Sequence, residues 1–156
     1  LKAKGMLGEL VKLLPERDPH PELYATTLHV LRSFAEPEVW PALLVYWEIQ
    51  LLQELGFGLD LTSCAATGSI EDLAYVSPKS GRAVSREAGA PYADKMLPLP
   101  RFLIDSAGPL APSDIVAGFE LTGFFLQRDA LSPHGLKLPD ARARLLDLLT
   151  RETHAA

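Results

Sequence analysis

The stretch WPALLVYWEIQLLQELGFG, residues 40–58, constrains the fold more than any other part of the chain. Apolar residues recur in it at steps of three and four, which predicts one stripe along a helix. The stripe consists of Leu43, Leu44, Trp47, Leu51 and Leu55. Further apolar residues lie off the stripe, and a helix that is apolar most of the way round is usually buried among other helices. We therefore predict a central core helix, with Pro41 in its first turn and Gly56 at its end.

Glu48 lies in the middle of this apolar segment. Burial of a carboxylate is costly unless a cation or an N–H group is its partner. A structural carboxylate with such a partner is the simpler interpretation. The alternative is a small-molecule or catalytic pocket around Glu48, in which the acid would have a perturbed pKa. A deep cavity with Glu48 exposed inside it would favour the pocket, whereas an arginine bound to Glu48 in a closed core would exclude it.

A length of 156 residues and a hydrophobic content of 47% fit one domain with a substantial core. Apolar periodicity predicts helices on both sides of the central one. We expect a mainly α fold, a bundle of five to six helices with a small β-hairpin insertion, as a single domain over residues 1–156. The first three helices would occupy residues 1–58, the insertion 59–97, and the C-terminal helices 98–156.

Specific faces are predicted for the outer helices. The first helix, over residues 1–14, would bury Met6, Leu7, Leu10, Val11 and Leu14. A later helix would begin at Ile115, with Ser113 or Asp114 as its cap, and two glycines in it, Gly118 and Gly123, would let another helix approach closely. The last helix, from about Pro139 to Arg151, would bury Leu138, Ala141, Leu145, Leu148 and Leu149. Its charged residues would form an outer face of Arg142, Arg144, Asp147 and Arg151.

Composition excludes several classes of protein. A net charge of −5 argues against a nucleic-acid binder that uses its whole surface. A single cysteine, Cys64, excludes an internal disulfide and a multi-cysteine metal site, and fits a reducing compartment. The chain has no apolar run of membrane-spanning length and no secretory signal, so we expect a cytoplasmic protein. It starts within a helical pattern and without an initiator Met, as a fragment of a longer chain would.

Two short runs, Leu73–Val76 and Arg82–Ser85, flank a turn and predict a hairpin. Residues 79–101 around it contain five cations and two acids, an excess of three positive charges in an acidic chain. The cations are Lys79, Arg82, Arg86, Lys95 and Arg101. With Tyr75 and Tyr92 interleaved, this segment is a candidate for binding a nucleic-acid backbone and stacking on bases. An ordinary solvated hairpin is the alternative.

Catalytic motifs are missing from the sequence. It contains no nucleophile elbow, no phosphate-binding Gly-rich loop and no His-Glu-x-x-His motif, and its four histidines are scattered. Cys64 has no basic neighbour in sequence that would lower its pKa, which favours a structural thiol over a reactive one. We therefore predict no catalytic residue and no cofactor.

Several short motifs, in this order and spacing, resemble the C-terminal part of the RecO recombination-mediator family. They are Glu-Leu-Gly-Phe-Gly-Leu-Asp at 54–60, Cys-Ala-Ala-Thr-Gly at 64–68, Leu-Ala-Tyr-Val-Ser-Pro-Lys-Ser-Gly at 73–81, Ser-Arg-Glu-Ala-Gly at 85–89, Leu-Thr-Gly-Phe-Phe-Leu-Gln-Arg at 121–128 and Pro-His-Gly at 133–135. The resemblance extends from about Leu13 to Thr150.

This resemblance implies a non-enzymatic role in bacterial DNA repair, in the RecF pathway of the DNA damage response. The family anneals complementary strands and, with RecR, helps to load RecA onto DNA coated by the single-stranded DNA-binding protein. Its fold is an N-terminal OB barrel followed by a helical domain, which carries a zinc knuckle in some members. Here the barrel is absent, so the chain resembles the C-terminal domain alone, and DNA binding that depends on the barrel would be weak.

The zinc pattern of the family, one Cys-x-x-Cys pair on each side of the hairpin, is also degenerate here. The first pair has become Cys64-Ala-Ala-Thr67 and the second Ser85-Arg-Glu-Ala88. Structural zinc takes four N or S ligands, so we predict no metal. The hairpin would then depend on packing against the helices through Leu73, Tyr75, Val76 and Val84.

In this family the helical domain also receives the acidic, hydrophobic-ended tail of the single-stranded DNA-binding protein. Such a tail needs an apolar pocket for its terminal aromatic ring and a cation for its carboxylate. By residue type, the pocket candidates are Leu43, Trp47, Leu51, Phe125 and Leu126. Arg32 and Arg128 are the candidate cations.

Overall fold

The computed structural model describes residues 2–14, 19–105 and 110–155, and within these ranges it contains six α-helices and one three-stranded sheet. The helices are α1 (Lys2–Val11), α2 (Pro21–Ser33), α3 (Trp40–Glu54), α4 (Arg86–Gly89), α5 (Pro112–Phe125) and α6 (Asp140–Ala155). The strands are β1 (Leu73–Val76), β2 (Ala83–Ser85) and β3 (Leu97–Pro98). Shorter helical turns cover Ala90–Lys95, Arg101–Leu103, Leu126–Leu131 and Ser132–His134. The mainly α fold with a small β insertion is confirmed.

Helix α3 is the core helix that the sequence predicts. It packs between α2 and α5, and seven of its residues are buried. Pro41 lies in its first turn, and the chain leaves it through Gly56, whose φ of +90° is the left-handed conformation that glycine adopts without strain. Glu48 and Trp47 are both fully buried at its centre.

Helix α1 buries Met6, Leu7 and Leu10 as predicted, but Val11 is 38% exposed, so that part of the predicted face is wrong. The helix ends at Val11 rather than continuing to Leu14. The last residue of a helix lies where the neighbouring helices no longer cover it, and Val11 borders a surface groove instead.

Helix α5 begins at Pro112, three residues before the predicted start. Pro112 fits the first helical position because its missing N–H is not needed there. Asp114 therefore lies inside the first turn and accepts a hydrogen bond from the N–H of Ala111 at 3.3 Å. The predicted close approach is confirmed at Gly118, since a Cβ there would lie 3.1 Å from Val45 of α3.

Helix α6 differs most from its predicted faces. The sequence predicts Arg142 on the outer face, but it is only 3% exposed, and it predicts Leu148 on the inner face, where the structure leaves it 49% exposed. Leu145 is buried as expected. The face that turns inward is thus centred nearer Arg142, because this side chain has a charged partner inside the core.

The sheet has the order β2-β1-β3, and both pairings are antiparallel. The hairpin of β1 and β2 is confirmed, while β3 was not predicted. The sequence does not indicate β3 because the strand contains Pro98 and is followed by Pro100. Proline usually argues against a strand and is tolerated only at an edge. Val76 and Ala83 are fully buried and join the helical core, which attaches the insertion to the bundle.

Candidate functional site

A closed ion pair lies at the meeting point of α3, α5 and α6. Arg142 donates from Nε to Oε2 of Glu48 and from a terminal nitrogen to Oε1, both at 2.9 Å. Thr122 adds a third hydrogen bond to Oε1 at 2.6 Å, and Arg142 also donates to the carbonyl of Phe119. Gly123 makes room for the guanidinium, because a Cβ there would lie 2.7 Å from it.

This geometry gives Glu48 a structural role. The carboxylate is 0% exposed, and both of its oxygens have donors. With no exposed surface, the carboxylate is closed off from any solvent-filled cavity. The small-molecule or catalytic pocket around Glu48 is therefore excluded, and the interpretation as a satisfied carboxylate is confirmed.

Cys64 and Ser85, which begin the two degenerate metal-binding pairs, lie in contact. The N–H of Ser85 donates to Sγ of Cys64 at 3.2 Å, and the thiol is 1% exposed. One sulfur among hydroxyl groups does not fit zinc, which takes four N or S ligands. In the part of the chain that the structure describes, no three metal-ligating side chains converge.

The thiol of Cys64 differs from the sequence prediction in one respect. Burial opposes its ionisation, but hydrogen bonds from Thr67 and Ser85 outweigh burial and lower its pKa to about 6. The sequence predicts no lowered pKa, because no cation adjoins Cys64 and the N–H of Ser85 reaches the thiol only through the fold. Hydrogen bonds to the charged form have the same effect.

The predicted tail-binding residues do not form one surface. Trp47, Leu51 and Leu126 are 0% exposed, and Phe125 is 2% exposed, so these side chains belong to the core. Trp47 is further engaged by a hydrogen bond from its indole N–H to the Thr27 hydroxyl at 2.7 Å. Leu43 is half-buried, and the two candidate cations, Arg32 and Arg128, are exposed.

Arg128 borders a groove of about 230 Å³ between the loop after α3 and the hairpin turn. The groove is lined by Gly56, Phe57, Gly58, Leu59, Lys79, Ser80, Gly81, Phe125, Arg128 and Asp129. It therefore joins members of two predicted sets, Phe125 and Arg128 of the tail pocket and Lys79 of the basic segment. We call it the hairpin groove.

The guanidinium of Arg128 is held in a fixed position at this groove. It lies 5.0 Å from the ring centre of Phe124 and 5.2 Å from that of Phe125, within the range of cation–π attraction. It also donates to Asp129 at 2.8 Å and to the carbonyl of Pro78. Phe57, which is 41% exposed, also lines the groove.

The basic segment is partly neutralised by acids outside it. Arg82 lies 3.9 Å from Asp60, and Arg86 lies 3.3 Å from Asp72. Counting these acids lowers the local excess from three positive charges to one. Lys79, Lys95 and Arg101 are exposed, so they are the cations of the segment most accessible to a partner.

Two contacts made by residues of α3 were not indicated by the sequence. His20 Nδ1 lies 2.7 Å from Glu54 Oε2, and the Tyr46 hydroxyl donates to the Phe102 carbonyl at 2.5 Å. Their members are 34 and 56 residues apart, so no local periodicity could pair them.

Among the described helices, none has both the length and the hydropathy that a bilayer crossing requires.

The described residues thus form a helical domain with a small antiparallel sheet and a polar groove, lined by Lys79 and Arg128, where the two meet. A family model described as "Recombination protein O C terminal" matches residues 5–137. The chain therefore belongs to the RecO family of DNA repair proteins, and the resemblance inferred from its motifs is confirmed.

Curated relatives agree with this assignment. A protein of Methylocella silvestris named DNA repair protein RecO is 52% identical over 159 residues, covering 100% of this chain and 64% of the relative. Proteins of the same name from Caulobacter vibrioides and Bartonella quintana are each 54% identical, over 87% and 90% of this chain and 56% and 58% of their own lengths. The chain thus spans less than two thirds of each of these relatives. No solved structure matches it significantly.

Proposed function

We propose that this domain is a non-enzymatic interaction module of a recombination mediator, and that it binds the C-terminal tail of the single-stranded DNA-binding protein. Through that contact it would contribute, together with RecR, to strand annealing and to RecA loading by the whole protein. The observation that carries the proposal is the hairpin groove, which is lined by Lys79, Arg128 and the partly exposed ring of Phe57.

The groove matches the chemistry of an acidic tail with an aromatic end. Lys79 is exposed and available to a carboxylate, while Arg128, fixed over two phenylalanine rings, adds a second positive charge beside it. Phe57 offers a ring for a terminal aromatic residue. Arg128 already binds Asp129, which leaves Lys79 as the cation for the terminal carboxylate.

Titration of a labelled acidic peptide with a C-terminal phenylalanine tests this proposal. Lys79→Glu and Phe57→Ala should each raise the dissociation constant by about tenfold, as expected for loss of a charge-assisted or aromatic contact. Lys137→Glu is the matched control, because Lys137 is exposed but does not line this groove. Equal affinity for all four proteins, or no binding by the unaltered chain, would contradict the proposal.

A second candidate function is direct contact with single-stranded DNA through the basic segment. The exposure of Lys79, Lys95 and Arg101 favours it. Lys95→Glu combined with Arg101→Glu should then weaken binding and flatten its salt dependence, because fewer phosphates would be neutralised. Neither residue lines the hairpin groove, so tail binding should be unaffected. An unchanged affinity and salt slope would exclude this segment as a DNA contact.

A further inference from the structure

The guanidinium of Arg128 has most of its hydrogen-bond donors engaged at the hairpin groove. Its Nε and one terminal nitrogen donate to the two carboxylate oxygens of Asp129, at 2.8 and 3.2 Å. The other terminal nitrogen donates to the carbonyl of Pro78. Three of its five N–H groups thus have acceptors. Asp129 occupies an edge of the guanidinium at which a carboxylate binds through two parallel hydrogen bonds.

The contacts of Arg128 divide into charged and uncharged ones. Asp129 is negatively charged, whereas the rings of Phe124 and Phe125 and the carbonyl of Pro78 are neutral. The neutral contacts hold the guanidinium in place without changing its charge. Asp129, in contrast, cancels that charge. The position of Arg128 therefore has supports that do not depend on Asp129, while its attraction for an anion does depend on it.

The carboxylate of Asp129 also lies at the groove itself. Asp129 lines the groove together with Lys79 and Arg128, and its side chain is 23% exposed. These three side chains leave a net charge of one positive unit where the two cations alone would give two. A ligand carboxylate that reaches Arg128 meets another carboxylate already bound, so it gains only the difference between two ion pairs. Because an exposed ion pair is weak, an incoming anion can break it.

We propose that Asp129 is an internal competitor of the acidic partner: it occupies the carboxylate-binding edge of Arg128 and must be displaced before the partner can use both cations of the groove. This inference rests on the proposed binding of an acidic tail at the hairpin groove. Asp129 thereby keeps the affinity of the groove below the value that Lys79 and Arg128 together would give. It is a residue that sets affinity through Arg128, without contributing a favourable contact of its own to the partner.

Titration of the labelled acidic peptide with a C-terminal phenylalanine into the 156-residue chain measures this effect. Asp129→Asn keeps the size of the side chain and removes its charge. It should lower the dissociation constant by about fivefold, as expected when an exposed ion pair no longer competes. Asp147→Asn is the matched control, because Asp147 is an exposed acid of α6 that does not line the groove. It changes the net charge equally and should bind like the unaltered chain. Circular dichroism of each variant verifies that it is folded.

A double variant shows whether the gain in affinity comes through Arg128. Arg128→Gln/Asp129→Asn replaces the ion pair by two uncharged amides, so it should bind with about the affinity of the unaltered chain. A gain that persists in the double variant, or an equal gain in Asp147→Asn, would overturn the inference. Binding by the unaltered chain with no gain in Asp129→Asn would also overturn it and leave the proposed function standing. No binding by either chain would contradict both.

Discussion

The guanidinium of Arg142 and the carboxylate of Glu48 form a bidentate ion pair in the core, with both nitrogen–oxygen distances at 2.9 Å. The residues are separated by 94 positions in sequence. Removing one partner leaves an uncompensated buried charge, so Arg142→Met should lower the free energy of unfolding by about 3–5 kcal/mol. Urea denaturation measures this change.

Two variants give that prediction its controls. Arg144→Met, on the exposed side of the same helix, should change stability by less than about 0.5 kcal/mol. The double variant Glu48→Leu/Arg142→Met should be more stable than Arg142→Met alone, because an apolar pair leaves no charge unpaired. If Arg142→Met and Arg144→Met have the same free energy of unfolding, the ion pair of Arg142 does not stabilise the fold.

The hydrogen bond from the Trp47 indole to the Thr27 hydroxyl gives a second prediction. Thr27→Val keeps the shape of the side chain but leaves the buried N–H without an acceptor, which should cost about 1–3 kcal/mol. Thr26→Val is the control, since the Thr26 hydroxyl bonds only to a carbonyl in its own helix. Equal midpoints of urea unfolding for both variants would show that the indole hydrogen bond does not contribute this much to the stability of the fold.

Much of the fold follows from residue patterns in which all the partners are local. Residues 40–58 are apolar on most sides, so they form a core helix whatever surrounds them. The hairpin is likewise two short apolar runs around a glycine-containing turn. The burial of Arg142 does not follow from a local pattern, because a charged residue is expected at the surface unless its distant partner is known.

The candidate site was harder to predict than the fold. Residue type makes Trp47 and Leu126 candidates for a partner's pocket, but the same apolar character places them in the core. Lys79 and Arg128 are 49 positions apart, and the hairpin brings them to one groove. Residue type therefore makes Lys79 and Arg128 candidates, whereas their position beside one groove depends on tertiary packing.

Close packing of Gly89 against an aromatic ring leads to a third prediction. A Cβ at Gly89 would lie 2.4 Å from the Tyr75 ring, so Gly89→Ala should destabilise the insertion by about 1–3 kcal/mol. Gly8→Ala is the contrasting variant, because Gly8 lies in α1 with no atom within 4 Å of its Cβ position. That substitution should raise stability by about 0.5–1 kcal/mol. In thermal denaturation, the midpoint temperature of Gly89→Ala should be lower than that of the unaltered chain, and that of Gly8→Ala should be higher. Midpoint shifts of the same sign would refute the packing argument.

Cys64 should make stability depend on pH. Its pKa is about 6 in the folded chain, well below the ordinary thiol value of 9, so the unfolded chain binds more protons between these two values. Stability should therefore rise as pH increases from 6 to 9, and this contribution should be lost as pH falls through 6. Urea midpoints at several pH values measure the slope, and Cys64→Ser should have a smaller one. Parallel slopes would mean that the thiol does not ionise in the fold.

The edges of the small sheet have a consequence for behaviour at high concentration. On one side, the N–H of Asp60 donates to the carbonyl of Gly81, and Ala83 forms backbone hydrogen bonds with Asp60 and Ala65. The outer edge of β2 is therefore already paired. On the other side, β3 is two residues long and contains a proline. Open strand edges are templates on which other chains can add strands. The insertion therefore offers a neighbouring molecule almost no backbone to pair with, and it should resist amyloid-type growth even where many copies of the protein are crowded together.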